Sequence, residues 1–182
     1  MFGQPVTFTA TVTAKSPGAG TPTGTVTFED GSSTLGTGTL NGSGQATFTT
    51  STLAVGSHSI TASYGGDATF TGSTSSALTQ TVKKASTATL VSSSANPSVS
   101  GQPVTFTATV TAKSPGGGTP SGTVSFKDGS STLGTGTLDS SGQAMFTIST
   151  LTVGSHSITA SYGGDASFKG STSPKFTQTV NP

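Results

Sequence analysis

Cysteine, tryptophan and arginine are absent from this chain of 182 residues, and only 7% of its residues are charged. An average soluble protein carries roughly 25% charged residues. Without cysteine there are no disulfides and no thiolate zinc sites. All seven basic residues are lysines, scattered along the chain, and the net charge is +1. A surface for nucleic acid or an anionic membrane needs a clustered basic footprint, so neither partner is expected. No stretch approaches the ~18 consecutive apolar residues of a membrane-spanning helix. The N-terminal run Met1-Phe2-Gly3-Gln4-Pro5-Val6-Thr7-Phe8 has no charged leader and no apolar core, so it does not read as a signal peptide. No cofactor is implied.

What the chain has in abundance is serine and threonine, roughly two residues in five against a far lower average usage. Such a composition suits a disordered tail, but the apolar residues are patterned. Val6, Phe8, Ala10 and Val12 alternate with Thr7, Thr9, Thr11 and Thr13, the period of a half-buried strand. Further strands follow at Thr25–Phe28, Thr34–Leu40, Ala46–Thr49, His58–Tyr64 and Leu78–Val82. They are separated by Glu29-Asp30-Gly31-Ser32, Asn41-Gly42-Ser43-Gly44 and Gly65-Gly66-Asp67, all turn signals. Gly36 and Gly38 weaken the third strand. No segment shows a helical apolar period. The expected inward set is Val6, Phe8, Val12, Val26, Phe28, Leu40, Phe48, Leu53, Ile60, Ala62 and Phe70.

The whole pattern occurs twice. Gly3–Val12 recurs at Gly101–Val110, an offset of 101 − 3 = 98, and the match runs without a gap to the end of the chain. A period near 100 residues is that of a whole domain. The copies differ at one place. Before Gly101, Thr87, Thr89 and Val91 alternate with Ala88 and Leu90 until Asn96-Pro97 breaks the run. The first copy has only Met1 and Phe2 before Gly3. The expectation is an all-β chain of two tandem immunoglobulin-like β-sandwiches of about seven strands, the first lacking its N-terminal strand. Its domains span residues 1–83 and 84–182, with 84–98 serving as linker and first strand.

Three runs carry a family resemblance: Gly3–Val12, Pro22–Gly31 and Leu53–Phe70, each repeated in the second copy. Together they resemble the bacterial Ig-like repeat domains. The resemblance implies tandem modules in secreted or surface-anchored bacterial proteins, joined to neighbouring domains of a larger chain. The implied roles are spacing, adhesion and, in some members, carbohydrate contact. The family has no shared catalytic residues to carry over.

Few residues carry chemistry. His58 and His156 are the only histidines, one per copy at the corner Gly-Ser-His-Ser-Ile. In immunoglobulin domains this position holds a tyrosine that bonds backbone, so both histidines are assigned to a structural corner. A hydrolase would need Ser, His and acid in one pocket with an oxyanion hole. Ser57, Ser63 and Asp67 lie near His58 in sequence, but neighbouring strand residues face opposite sides. Asp67 and Asp165 are the calcium candidates, although calcium takes six to eight oxygen ligands and turn formation accounts for Gly-Gly-Asp without a metal. An isopeptide staple is disfavoured because Asn41 is replaced by Asp139. Tyr64 and Tyr162 are the aromatic candidates for glycan contact. The expected function is a non-catalytic spacer or adhesive module, secreted or at the cell surface. The alternatives are a polysaccharide- or surface-partner-binding module, or a hydrolase. The bare sheet edge of the first copy is a template for strand-swapped self-association.

Overall fold

The computed structural model describes residues 1–182 and contains sixteen strands and no helix. It divides into two compact units, Pro5–Lys83 and Lys84–Pro182, and Met1–Gln4 belongs with the latter. The N-terminal tetrapeptide is placed there by the Phe2 ring, whose centroid lies 5.4 Å from that of Phe168, edge to face. The Gly117 N–H also donates to the Phe2 carbonyl.

The first sandwich, Pro5–Lys83, is built from β1 (Val6–Thr11), β2 (Thr25–Asp30), β3 (Ser33–Thr39), β4 (Gln45–Thr50), β5 (Gly56–Gly66), β6 (Thr71–Thr74) and β7 (Leu78–Val82). One sheet is the antiparallel pair β1–β4, in register from Val6↔Thr50 to Thr11↔Gln45. The other runs β3-β2-β5-β6. β5 is 11 residues long, so its first half pairs with β7 and its second half with β6. The sequence pattern contains no signal for β6: all four of its residues are exposed, and without a buried face no alternation is written into it.

The second sandwich repeats this plan in β10 (Val104–Ala112), β11 (Thr123–Asp128), β12 (Ser131–Thr137), β13 (Gln143–Ile148), β14 (Gly154–Gly164), β15 (Lys169–Thr172) and β16 (Phe176–Asn181). It adds two strands that the first does not have. β8 (Thr87–Ser93) lies antiparallel on the free edge of β10, in register from Phe106↔Ser93 to Ala112↔Thr87. β9 (Ser98–Val99) then crosses to the opposite sheet and pairs in parallel with β16.

Alternation along the strands fills each interior. Val26, Phe28, Ile60 and Tyr64 are buried in the first sandwich, and Val124, Phe126, Ile158 and Tyr162 in the second. The glycines that weaken β3 and β12 have a packing reason. A Cβ on Gly36 would lie 2.3 Å from the Phe48 ring, and one on Gly134 would lie 2.2 Å from the Phe146 ring. The missing side chain leaves room for Phe48 to stack on Phe28, and for Phe146 to stack on Phe126, each at 5.8 Å.

Candidate functional site

The polar side chains with the most defined surroundings lie at two equivalent places in each sandwich. The first is the histidine corner. His58 sits near the start of β5, beside Asp30 at the end of β2. Its Nδ1–H donates to Asp30 Oδ2 at 2.6 Å, and its Nε2–H donates to the Ala54 carbonyl at 2.9 Å. The other Asp30 oxygen accepts the Ser59 N–H at 3.0 Å. His156 repeats this with Asp128 Oδ2 at 2.7 Å and the Thr152 carbonyl at 2.8 Å. In each case the carbonyl belongs to the residue four positions upstream.

Both ring nitrogens therefore face groups that only accept, which favours the doubly protonated ring. The hydrogen bond to Asp30, then that to Ala54, holds the His58 pKa above its usual value; Asp128 and Thr152 do the same for His156. The His58 bond in turn holds Asp30 below the ordinary carboxylate range. A histidine with a raised folded-state pKa stabilises fully below ~6.5, and this contribution is lost as pH rises through the folded-state value. Thermal midpoints are therefore expected to fall as pH rises from 6 towards 8, and the double variant His58→Gln with His156→Gln should flatten that slope. Scanning calorimetry across this range checks it; an unchanged slope in the variant would assign the dependence to other groups.

The second place is the Gly-Gly-Asp turn after β5 and β14. Asp67 Oδ2 accepts the N–H and hydroxyl of Thr23, both at 2.9 Å. Its Oδ1 accepts the N–H of Thr69 at 2.8 Å and of Phe70 at 2.7 Å. These donors hold the carboxyl well below its usual pKa. Asp165 is bound in the same way by Ser121, Ser167 and Phe168. Burial opposes its ionisation, but the four donors outweigh burial and bring the pKa down to about 2. The calcium candidates thus spend their oxygens on N–H and O–H donors, joining loops 44 residues apart in sequence. Nowhere do three or more histidines and acidic residues converge in a way that could hold a metal ion.

Neither tyrosine offers a stacking face, which corrects the glycan-contact expectation. Tyr64 is 3% exposed and Tyr162 2%, because both occupy inward positions of long central strands. The Tyr64 hydroxyl donates to the Thr23 carbonyl at 2.9 Å, which adds a third bond to the loop that Asp67 holds. Burial pushes the Tyr162 phenol up to about 12.

The partners missed by sequence reasoning are Asp30 and Asp128, read there only as turn residues. The available signal was register: Asp30 pairs with Ile60 across β2 and β5, which brings it beside the corner. Thr23 and Ser121 gave no signal, being loop residues far from their aspartates in sequence. Asn41 and Asp139 prove interchangeable. Each side-chain oxygen accepts two backbone N–H groups of its own turn, Ser43 and Gln45 or Ser141 and Gln143, a task either residue performs.

Two Ig-like sandwiches in tandem, each with its corner side chains bonded within its own scaffold, define the class. The chain belongs to the bacterial Ig-like domain (group 3) family, which matches it twice, at residues 1–83 and 90–181. No curated protein is significantly similar to it. Among solved structures, it is similar to the D0-D1 domain of intimin at 21% identity, covering 98% of this chain and 92% of that one with a TM-score of 0.37. The fibronectin(III)-like modules of Clostridium thermocellum CbhA match at 17% identity, over 98% of this chain and 85% of theirs, with a TM-score of 0.35. The Yersinia pseudotuberculosis adhesin InvE matches at 19% identity, over 96% of this chain and 55% of that one, with a TM-score of 0.43.

Proposed function

We propose that this chain is a non-catalytic structural or adhesive segment of a larger bacterial secreted or cell-surface protein, a spacer whose domains span residues 1–83 and 84–182. One observation carries this reading. In both copies the histidine and the aspartates at the two corners are committed to one another and to backbone and hydroxyl groups of their own sandwich. A Ser-His-acid site needs a histidine nitrogen turned to a hydroxyl, and both nitrogens of each ring are otherwise engaged. Family membership supports the same reading. His58 and His156 act as corner braces in it, and neither Asp67 nor Asp165 serves a metal.

A spacer resists extension and releases its length domain by domain. Single-molecule stretching of the full chain should give two separate unfolding events. The 79 residues of Pro5–Lys83 should release about 27 nm of contour, at ~3.4 Å per residue, and the second event somewhat more. Saturable retention on an insoluble polysaccharide would replace this reading with that of a binding module; featureless extension would remove the load-resisting role.

A further inference from the structure

The two sandwiches differ most on one flank. In the second, β8 lies on the edge of β10. In the first, β1 pairs with β4 alone. Along that bare edge runs a groove of about 450 Å³, floored by Ala10, Val12, Phe28 and Ala62 and walled by Ser73 and Leu78. Leu78 is 57% exposed. The counterparts of Ala10, Val12 and Ala62 are Ala108, Val110 and Ala160, which are at most 1% exposed because their sandwich is closed.

We propose that this groove is an acceptor site for one extended, uncharged β-strand of the Thr87–Ser93 kind, presented by a polypeptide segment outside these residues. The second sandwich shows which chemistry fits. Thr87 and Thr89 point inward and share hydrogen bonds with the Ser171 hydroxyl, both at 2.7 Å. Val91 packs against the core, while Leu90 faces outward and is 63% exposed. At the ends, the Lys113 N–H donates to the Ser86 carbonyl at 2.8 Å, and the Thr105 N–H to the Ser94 hydroxyl at 2.9 Å.

The counterparts of all these acceptor groups are present in the first sandwich. Ser73 stands for Ser171, Lys15 for Lys113 and Thr7 for Thr105, and no strand lies on the edge of β1 away from β4. An occupant must therefore carry hydroxyls at two inward positions, a β-branched apolar residue at the third and no inward charge. Main-chain bonds to an exposed sheet edge supply affinity, and alternate side chains supply selectivity.

β8 itself is engaged by β10 in the second sandwich. A second copy of the chain could donate β8 only by vacating the equivalent contacts in its own second sandwich, so the exchange has little net driving force. A strand with no such prior commitment fills the groove at a net gain.

The probe is a synthetic peptide with the sequence of Ala85–Ser94, blocked at both ends and added to the full chain. Hydrogen exchange should slow in Val6–Val12 and Ser73–Leu78 and stay unchanged in Val104–Ala112. The lower thermal transition should rise by roughly 10 °C when the peptide is at a hundredfold excess over its dissociation constant. A peptide carrying Thr89→Asp should lose at least tenfold in affinity. The proposal is overturned by no protection at millimolar peptide, or by equal protection from the Thr89→Asp or a scrambled peptide. It is also overturned if the chain sediments as a dimer with Val6–Val12 already protected, since a second copy would then be the occupant.

Discussion

On heating, the chain is expected to lose its sandwiches in separate steps, the one formed by Pro5–Lys83 first and at least ~12 °C below the other. The copies share nearly all their core residues, so the difference lies in how far those residues are covered. Val104 and Val110 are buried in the second sandwich, whereas Val6 and Val12 are only half-buried. Ala10, Ala62 and Phe70 lose cover in the same way relative to Ala108, Ala160 and Phe168. A fully buried valine contributes about 1.5–3 kcal/mol. Partial exposure at these positions therefore amounts to ~3–6 kcal/mol in total. The hydrogen bonds of β8 and the entropy of ordering it offset one another to first order. For domains of this size each kcal/mol moves the midpoint by about 4–8 °C, so the lower bound gives ~12 °C. Scanning calorimetry checks the separation. Phe28→Leu should shift only the lower transition and Phe126→Leu only the upper, because they are equivalent core residues of different sandwiches. A single cooperative transition sensitive to both would refute the ranking.

The second large effect concerns a glutamine present in both copies. Gln178→Ala should destabilise the second sandwich by about 2–3 kcal/mol, whereas Gln80→Ala should stay within ~0.5 kcal/mol. Gln178 is completely buried. The two N–H groups of its Nε2 are shared among the Ala95 carbonyl at 2.9 Å, the Thr179 carbonyl at 3.1 Å and the Ser98 hydroxyl at 3.2 Å. It thereby ties the crossover between β8 and β9 to β16. Asn96 reinforces the tie from outside, donating to the Thr177 carbonyl at 2.8 Å and accepting the Thr179 N–H at 2.9 Å. The magnitude is a few net hydrogen bonds plus a small cavity, reduced because Gln178 Oε1 already lacks a protein partner. Gln80 has no crossover to hold, and its single bond, to the Thr81 carbonyl, is 3.4 Å long. Urea unfolding of the two variants is the measurement; equal losses would mean that the crossover is held by other groups.

Most of the fold is legible in the amino-acid sequence. The strand over Leu78–Val82 falls where its alternation places it, and the β8 segment was marked by Thr87, Thr89 and Val91. Alternation reports burial on one face, and every strand with such a face announced itself. β6 and β9 did not, because a wholly exposed strand and a two-residue strand carry no period. Tyr64 shows the converse limit. As an aromatic residue it is a candidate for glycan contact, yet its inward position on β5 leaves the ring only 3% exposed and its hydroxyl donates to a loop carbonyl.

At the corners, sequence reading reached residues but not partnerships. The two histidines stood out as the only ones in the chain, and the immunoglobulin corner suggested backbone bonding. That Asp30 is the second partner depends on the pairing of β2 with β5. That Asp67 binds Thr23 depends on which loops meet at one end of the sandwich.

By itself, then, the sequence determined the class, the duplication, the strand periods and the inequality of the copies. These follow from local alternation and from an offset that any reader can measure. Only the tertiary structure decided which polar groups are spent on the scaffold, that Gln178 is a buried clamp while Gln80 is not, and that the missing strand leaves a lined groove rather than a collapsed edge. The physical reason is that such contacts join residues some 40 to 80 positions apart, and no local period encodes them.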